Sequence, residues 1–153
     1  MKTITIFAFF SLLILISSCN KDDVFEASMS ASIDGTSWSA VTRVTKKTNG
    51  KFIITGTSTD QKVIVLTVYG VNEGTYELSA GMDSVDFQFS AVYQPEASSP
   101  SENNYLSKSG TIKISKLDTE NQRISGTFNF SATKLSETIT ISNGEFKDLK
   151  YSE

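Results

Sequence analysis

The 153 residues contain no histidine and a single cysteine, Cys19. Any chemistry must therefore come from carboxylates, hydroxyls and amines. Ser-His-Asp and Cys-His arrangements are removed, and no imidazole or spare thiolate is left to hold zinc. Paired carboxylates survive as a candidate, because glycoside hydrolysis needs only two acids at a suitable separation. The close pairs are Asp83 with Asp86, Glu73 with Glu77, and Glu96 with Glu102. They fall in turns or on solvent-facing positions, where a carboxyl group keeps its ordinary pKa and makes a poor general acid. A small carboxylate-based glycoside hydrolase is accordingly the minor reading, and no catalytic residue is assigned. No Asp-x-Asp-x-Asp-Gly calcium loop occurs, so neither metal nor cofactor is expected.

Aromatic side chains are the other functional currency. Phe87, Phe89, Phe128 and Phe130 alternate with polar residues and read as core. Trp38 follows an Asp34-Gly35 turn, Tyr93 ends a strand and Tyr105 leaves a long loop. Loops placed by a rigid scaffold commonly carry binding, so these three form a candidate ligand rim. The competing role for Trp38 is to plug one end of the fold.

Cys19 carries the clearest message. Met1-Lys2 is followed by an apolar run over 4–16, then Ser17-Ser18, then Cys19 and the polar Asn20-Lys21-Asp22-Asp23. This order is that of a secretory signal peptide. About thirteen apolar residues at 1.5 Å each span roughly 20 Å, short of the roughly 30 Å hydrocarbon core, so cleavage is favoured over a membrane-spanning helix. Ile16-Ser17-Ser18-Cys19 resembles the bacterial lipobox, whose cysteine is acylated and becomes the first mature residue. The expected organisation is a signal peptide over 1–18, a flexible tether over 19–26 behind lipidated Cys19, and one β domain over 27–153. Lipoprotein-type modification supplies more than one acyl chain, which makes anchoring firm.

Removing residues 1–18 takes away one lysine, leaving thirteen basic against seventeen acidic residues. An acidic surface gives no reason to expect nucleic acid as a partner. The remaining length suits one domain able to form a core without disulfides.

The elements that must position these residues follow a period of two, with no sustained period near 3.6, so the chain is all-β. Strands are expected over 27–33, 41–47, 52–57, 62–69, 74–79, 85–93, 110–117 and 123–133. Thr48-Asn49-Gly50-Lys51 joins the second and third, since Asn-Gly suits the positive φ angles of a type I′ turn. Segment 62–69 is apolar on both faces and should be central and covered on both sides. Residues 94–104 hold both prolines and form a long loop. Gly126 stands where an inward side chain would be, which predicts a bulge, a bend or a close backbone approach. A last hairpin, 138–142 with 145–151, is expected to turn at Asn143-Gly144, with a one-residue bulge near Lys147 returning Leu149 and Tyr151 to the apolar side. An antiparallel β-sandwich of nine or ten strands leads, with a partly closed β-barrel as the alternative.

Asp34-Gly35 before Trp38, Ile54-Thr55-Gly56, Gly74-Thr75-Tyr76, SGTIKISKLD over 109–118, RISGTFNFSAT over 123–133 and ITISNGEF over 139–146 together resemble an uncharacterised family of small Bacteroidetes lipoproteins. The resemblance implies a compact β domain behind a lipid anchor at the outer membrane, and it brings no functional residues. In that phylum an acidic run after the anchoring cysteine is associated with surface display, and Lys21, Asp22 and Asp23 are similar to such a signal. The expected role is a binding or structural module for a glycan, a peptide or an envelope assembly partner.

Overall fold

The computed structural model describes residues 26–70, 72–79, 89–98 and 100–153. Cys19, the Lys21-Asp22-Asp23 signal, Asp83, Asp86 and Phe87 lie outside the described residues. Among the described residues nine strands form: β1 (Ser28–Ile33), β2 (Thr36–Thr48), β3 (Lys51–Ser58), β4 (Val63–Tyr69), β5 (Gly74–Ser79), β6 (Phe89–Gln94), β7 (Tyr105–Asp118), β8 (Arg123–Lys134) and β9 (Glu137–Ser152). Asp34 and Gly35 have φ of 47° and 81°, and Asn49 and Gly50 have 52° and 73°. Both dipeptides make the two-residue hairpin turns that their chemistry favours.

The strands form one sheet in the order β5-β7-β6-β4-β3-β2-β1-β9-β8, and β8 pairs back onto β7. Eight strands therefore close into a barrel. The all-β reading holds, and the barrel alternative is realised in place of two facing sheets. β5 is the ninth strand: β6 pairs with β7 at Tyr105 and Leu106, while β5 pairs further along, from Ser109 to Ile114. Closure at eight strands leaves an interior just wide enough for side chains to fill. Phe52, Phe128, Phe146, Met29, Ile64 and Leu66 fill it and are almost wholly buried. The interior is a core, not a lumen.

The Asn143-Gly144 turn is corrected by the structure. β9 runs without reversal from Glu137 to Ser152, and the hairpin is made by β8 and β9 through Leu135-Ser136, with Lys134 opposite Glu137. Asn143 keeps the positive φ that its chemistry favours, 50°, but spends it on a bulge. There the register slips by one residue against both β8 and β1, so β9 bends and serves two neighbours. The expected bulge near Lys147 is present: pairing shifts between Ile124–Leu149 and Gly126–Phe146, and Asp148 takes φ 55°. Leu149 and Tyr151 are thereby turned inward and buried.

Candidate functional site

Because β1–β2, β2–β3, β3–β4, β4–β6, β6–β7, β7–β8 and β8–β9 all pair antiparallel, the β1–β2, β3–β4, β6–β7 and β8–β9 connections gather at one end of the barrel. Cross-bonds tie them together. Asp34 N donates to Thr140 O at 2.9 Å, Thr140 N donates to Asp34 Oδ1 at 2.7 Å, and Ala97 N donates to Gln61 O at 2.8 Å. Trp38, Tyr93 and Tyr105 all lie at this end, so the structure brings the three expected rim residues together.

It does not leave them as a rim. Trp38 is the third residue of β2, on its inward face. It is 5% exposed and Tyr93 is 6% exposed, which leaves neither ring a face for a ligand. The indole Nε1 donates to Lys62 O at 3.2 Å, and its ring stands where a side chain on Gly56 would be. Tyr93 pairs with Tyr105 across β6 and β7, with ring centroids 5.9 Å apart. Burial pushes the Tyr93 hydroxyl pKa up. Tyr105 is only half-buried, but its hydroxyl donates to Glu137 Oε2 at 2.5 Å and Lys134 Nζ lies 5.0 Å from its ring centroid. The aromatics act as a plug.

A cleft of about 400 Å³ opens beside the plug, between Ile33, Ser37, Trp38, Ser58, Asp60 and Lys62. Its polar groups bind one another. Asp60 accepts from Ser58 Oγ at 2.5 Å and pairs with Lys62 Nζ at 2.7 Å. Lys62, then Ser58, hold the Asp60 carboxyl below its ordinary pKa. Glu137 is held low in the same sense by Tyr105 and Lys134. A carboxylate held in its charged form is the opposite of a general acid. The other expected acids stand apart from the cleft: Glu73 accepts from Leu117 N at 3.0 Å, and Glu77, Glu96 and Glu102 are exposed. Among the described residues, no group of three or more acidic, histidine or cysteine side chains converges to hold a metal ion.

A different feature emerges on the outer wall. Val44 lies opposite Thr55, Thr55 opposite Val65, Val65 opposite Val92, and Val92 opposite Leu106. One uncharged row thus crosses five strands. The next row, Lys46–Ile53–Thr67–Ser90, follows the same pairings. Alternation fixes these side chains outward, because Ile54, Ile64, Leu66 and Ala91 between them are buried inside. Val44 is 47% exposed; Val65, Val92, Ile53 and Leu106 are partly exposed.

This face explains a misreading. Segment 62–69 carries apolar residues on both sides, which predicted cover on both. β4 is central, but in a barrel only the inner side packs on a core. Among the described residues no second layer crosses Val65. The signal was therefore in the sequence, and only its occupant was misjudged.

Compared with known families, residues 26–150 match the model of a domain of unknown function, DUF6252. Neither the curated proteins nor the solved structures gave a match.

Proposed function

We propose, for this chain, which belongs to the DUF6252 family, that it is a lipid-anchored protein of the bacterial outer membrane whose barrel is a binding or structural module for another protein. The uncharged row from Val44 to Leu106 carries this reading. Soluble proteins rarely expose a contiguous apolar patch of more than a few hundred Å² unless something binds it. A filled interior and a self-satisfied cleft speak against an enclosed small ligand, which would need an apolar cavity with convergent polar groups.

Anchoring rests on the Ile16-Ser17-Ser18-Cys19 segment, and surface display on Lys21-Asp22-Asp23, as in the Bacteroidetes lipoproteins the chain resembles. The fold suits such a tether. β1 starts at Ser28 and ends at Ile33 beside the plug, so the chain from Cys19 enters at the end away from Trp38.

A photo-cross-linking residue placed at Val65 in living cells tests the docking role, with Asn129 on the far wall as the control position. Cross-linking to protein at Val65 and none at Asn129 is expected. Equal labelling at both, or none at either, would remove the outer face as a docking surface.

A further inference from the structure

We propose that the acidic segment just ahead of the barrel, residues 22–26, binds the outer wall along the seam between β2 and β9, where Asp22, Asp23 and Glu26 meet Lys46, Lys147 and Lys150. The contact borders the proposed docking face at Lys46 and does not depend on it.

The seam follows from how β1 enters the sheet. Ser28 is the first β1 residue to pair with β9, opposite Lys147, and β1 pairs with β2 only from Ser30 to Ile33. Ahead of Ser28 the wall has no place for the chain, because β2 and β9 pair directly with each other at Thr45–Tyr151 and Lys46–Ser152. The interior is filled by the core, so the preceding residues have to pass over this junction on the outside. Alternation turns Lys46 and Lys150 outward there, since Thr45, Leu149 and Tyr151 beside them are buried. Lys147 is outward between buried Phe146 and Asp148, and all three lysines are exposed.

Their charge is unanswered. Among the described residues none of the three has an ion-pair partner. The acids nearby are engaged elsewhere: Glu153 on Lys47, Asp148 on Arg123 and Asp118 on Asn121. Glu145 stands one outward position above Lys147, opposite Ser30 and away from the seam. Lys150 lies directly opposite Arg123, and like charges in that relation destabilise a sheet. A carboxylate laid over the seam offsets that repulsion. The segment supplies three, at Asp22, Asp23 and Glu26.

The length of the segment matches the seam. Five residues lead back from Ser28 to Asp23, about 17 Å when extended at roughly 3.4 Å per residue. Five also lead from Lys147 to Ser152, about 14–17 Å depending on how much the bulge at Asp148 absorbs. A segment extended down the seam therefore sets Glu26 between Lys147 and Lys150, and Asp22 and Asp23 beside Lys46, which is opposite Ser152. Exposed ion pairs are individually weak, but a segment joined to the wall at Ser28 meets its lysines at high effective concentration. On the proposed anchor, Cys19 is then drawn in beside the barrel, and the domain is held at the membrane instead of swinging on its full tether.

The test uses the full chain, expressed with its own leader, extracted in non-ionic detergent and treated with a water-soluble carbodiimide, which joins carboxylates to amines in contact. Mass spectrometry of the digest should find Asp22, Asp23 or Glu26 amide-linked to Lys46, Lys147 or Lys150. The 2.6 Å pair of Lys47 with Glu153 is the internal standard. Tether linkage should fall several-fold in high salt, which screens exposed pairs. Mixed light- and heavy-isotope chains should link within one chain. Trypsin should cut after Lys21 roughly tenfold faster when Lys147→Glu and Lys150→Glu are combined, with the tether sequence unaltered and circular dichroism confirming the fold. Linkage of Glu153 to Lys47 with none from the tether overturns the inference. So does tether linkage spread equally to Lys113, exposed on β7, or a cut after Lys21 indifferent to the two substitutions. Linkage between chains would refute the contact within one chain.

Discussion

Phe146 occupies the space in which a side chain on Gly126 would stand: a Cβ there would meet Phe146 Cζ at 2.5 Å and the Lys113 carbonyl oxygen at 2.0 Å. The two residues are cross-strand partners in β8 and β9, and Phe146 is wholly buried. The glycine lets an aromatic ring enter a narrow barrel without pushing the strands apart. Gly126→Ala should destabilise the domain by about 3 kcal/mol, the upper end for overpacking, because one contact is backbone and cannot swing aside. Adding Phe146→Leu should recover only part of the loss. A urea midpoint unchanged by Gly126→Ala would refute this account of the corner.

Trp38 is the only tryptophan, so its fluorescence reports on the plug alone. Emission should be that of a buried indole, resistant to iodide and indifferent to added glycans. Trp38→Phe should cost about 2 kcal/mol, the net worth of a hydrogen bond plus the space left by the smaller buried ring. The hydrogen-bond share of that loss stays small because Lys62 O keeps the Ser58 backbone N–H at 2.9 Å. Solvent-like emission, or a shift on adding a sugar, would restore the rim.

The sequence made some of this legible and hid the rest for physical reasons. Phe128, Phe130 and Ala132 were readable as inward, since alternation with period two is local to one strand. The bulge that turns Leu149 and Tyr151 inward was readable because their apolar character demands it. Asn143-Gly144 was not readable: its chemistry specifies positive φ at Asn143, a value shared by a turn and a bulge. Pairing with β8 and β1 selects the bulge, and that pairing is remote in sequence. The true turn, Leu135-Ser136, has no turn signature, and Leu135 is 97% exposed at φ 55°. Barrel closure was equally hidden, since β7–β8 pairing decides it. Of the site, Trp38 looked free because its strand begins at Thr36, five residues before the apolar run that suggested a start at Val41.

The bond from Tyr105 to Glu137 ties the start of β7 to the β8–β9 turn, and its pH dependence has a definite sign. The bond and Lys134 depress the Glu137 pKa, so its contribution is present above the ordinary carboxylate value and lost as pH falls through the folded one. The same bond raises the Tyr105 pKa, so that contribution is lost as pH rises through the tyrosine range. Hydrogen exchange at Thr138 and Thr140 should accelerate at both extremes, and Tyr105→Phe should flatten both limbs. Identical profiles for the two proteins would show that the bond does not hold the turn.

Asp148 holds the second β9 bulge. It is buried, its backbone N–H donates to Ser125 Oγ at 2.8 Å, and its carboxylate lies 3.3 Å from Arg123 Nη1. Asp148→Ala removes the partner of Arg123 and places alanine at φ 55°, for a loss of about 2–3 kcal/mol. Deleting Lys147 should be far worse. One residue fewer turns Leu149 and Tyr151 to solvent, which should abolish cooperative unfolding. A deletion variant with a native-like melt would show that the register can repair itself elsewhere.

Anchoring and orientation can be checked together, again through Trp38. Cys19→Ala should release the chain from membranes or block its maturation, and continued retention would overturn the lipid anchor. On the proposed anchor at Cys19, β1 leads away from the membrane and covers about 17 Å from Ser28 to Ile33 at roughly 3.4 Å per residue. Trp38 pairs with Ala31, three residues and about 10 Å along that strand. If Cys19 is the anchor, the plug and its cleft are expected to point away from the bilayer, since β1 begins at Ser28 toward the other end of the barrel. Lipids spin-labelled in the headgroup region should therefore leave Trp38 fluorescence unquenched in reconstituted vesicles. A tryptophan moved to position 69, at the opposite end of β4, should be quenched in a Trp38→Phe background. Strong quenching of Trp38 itself would mean that the barrel lies with its plug against the lipid, and would place the cleft beyond the reach of partners outside the cell.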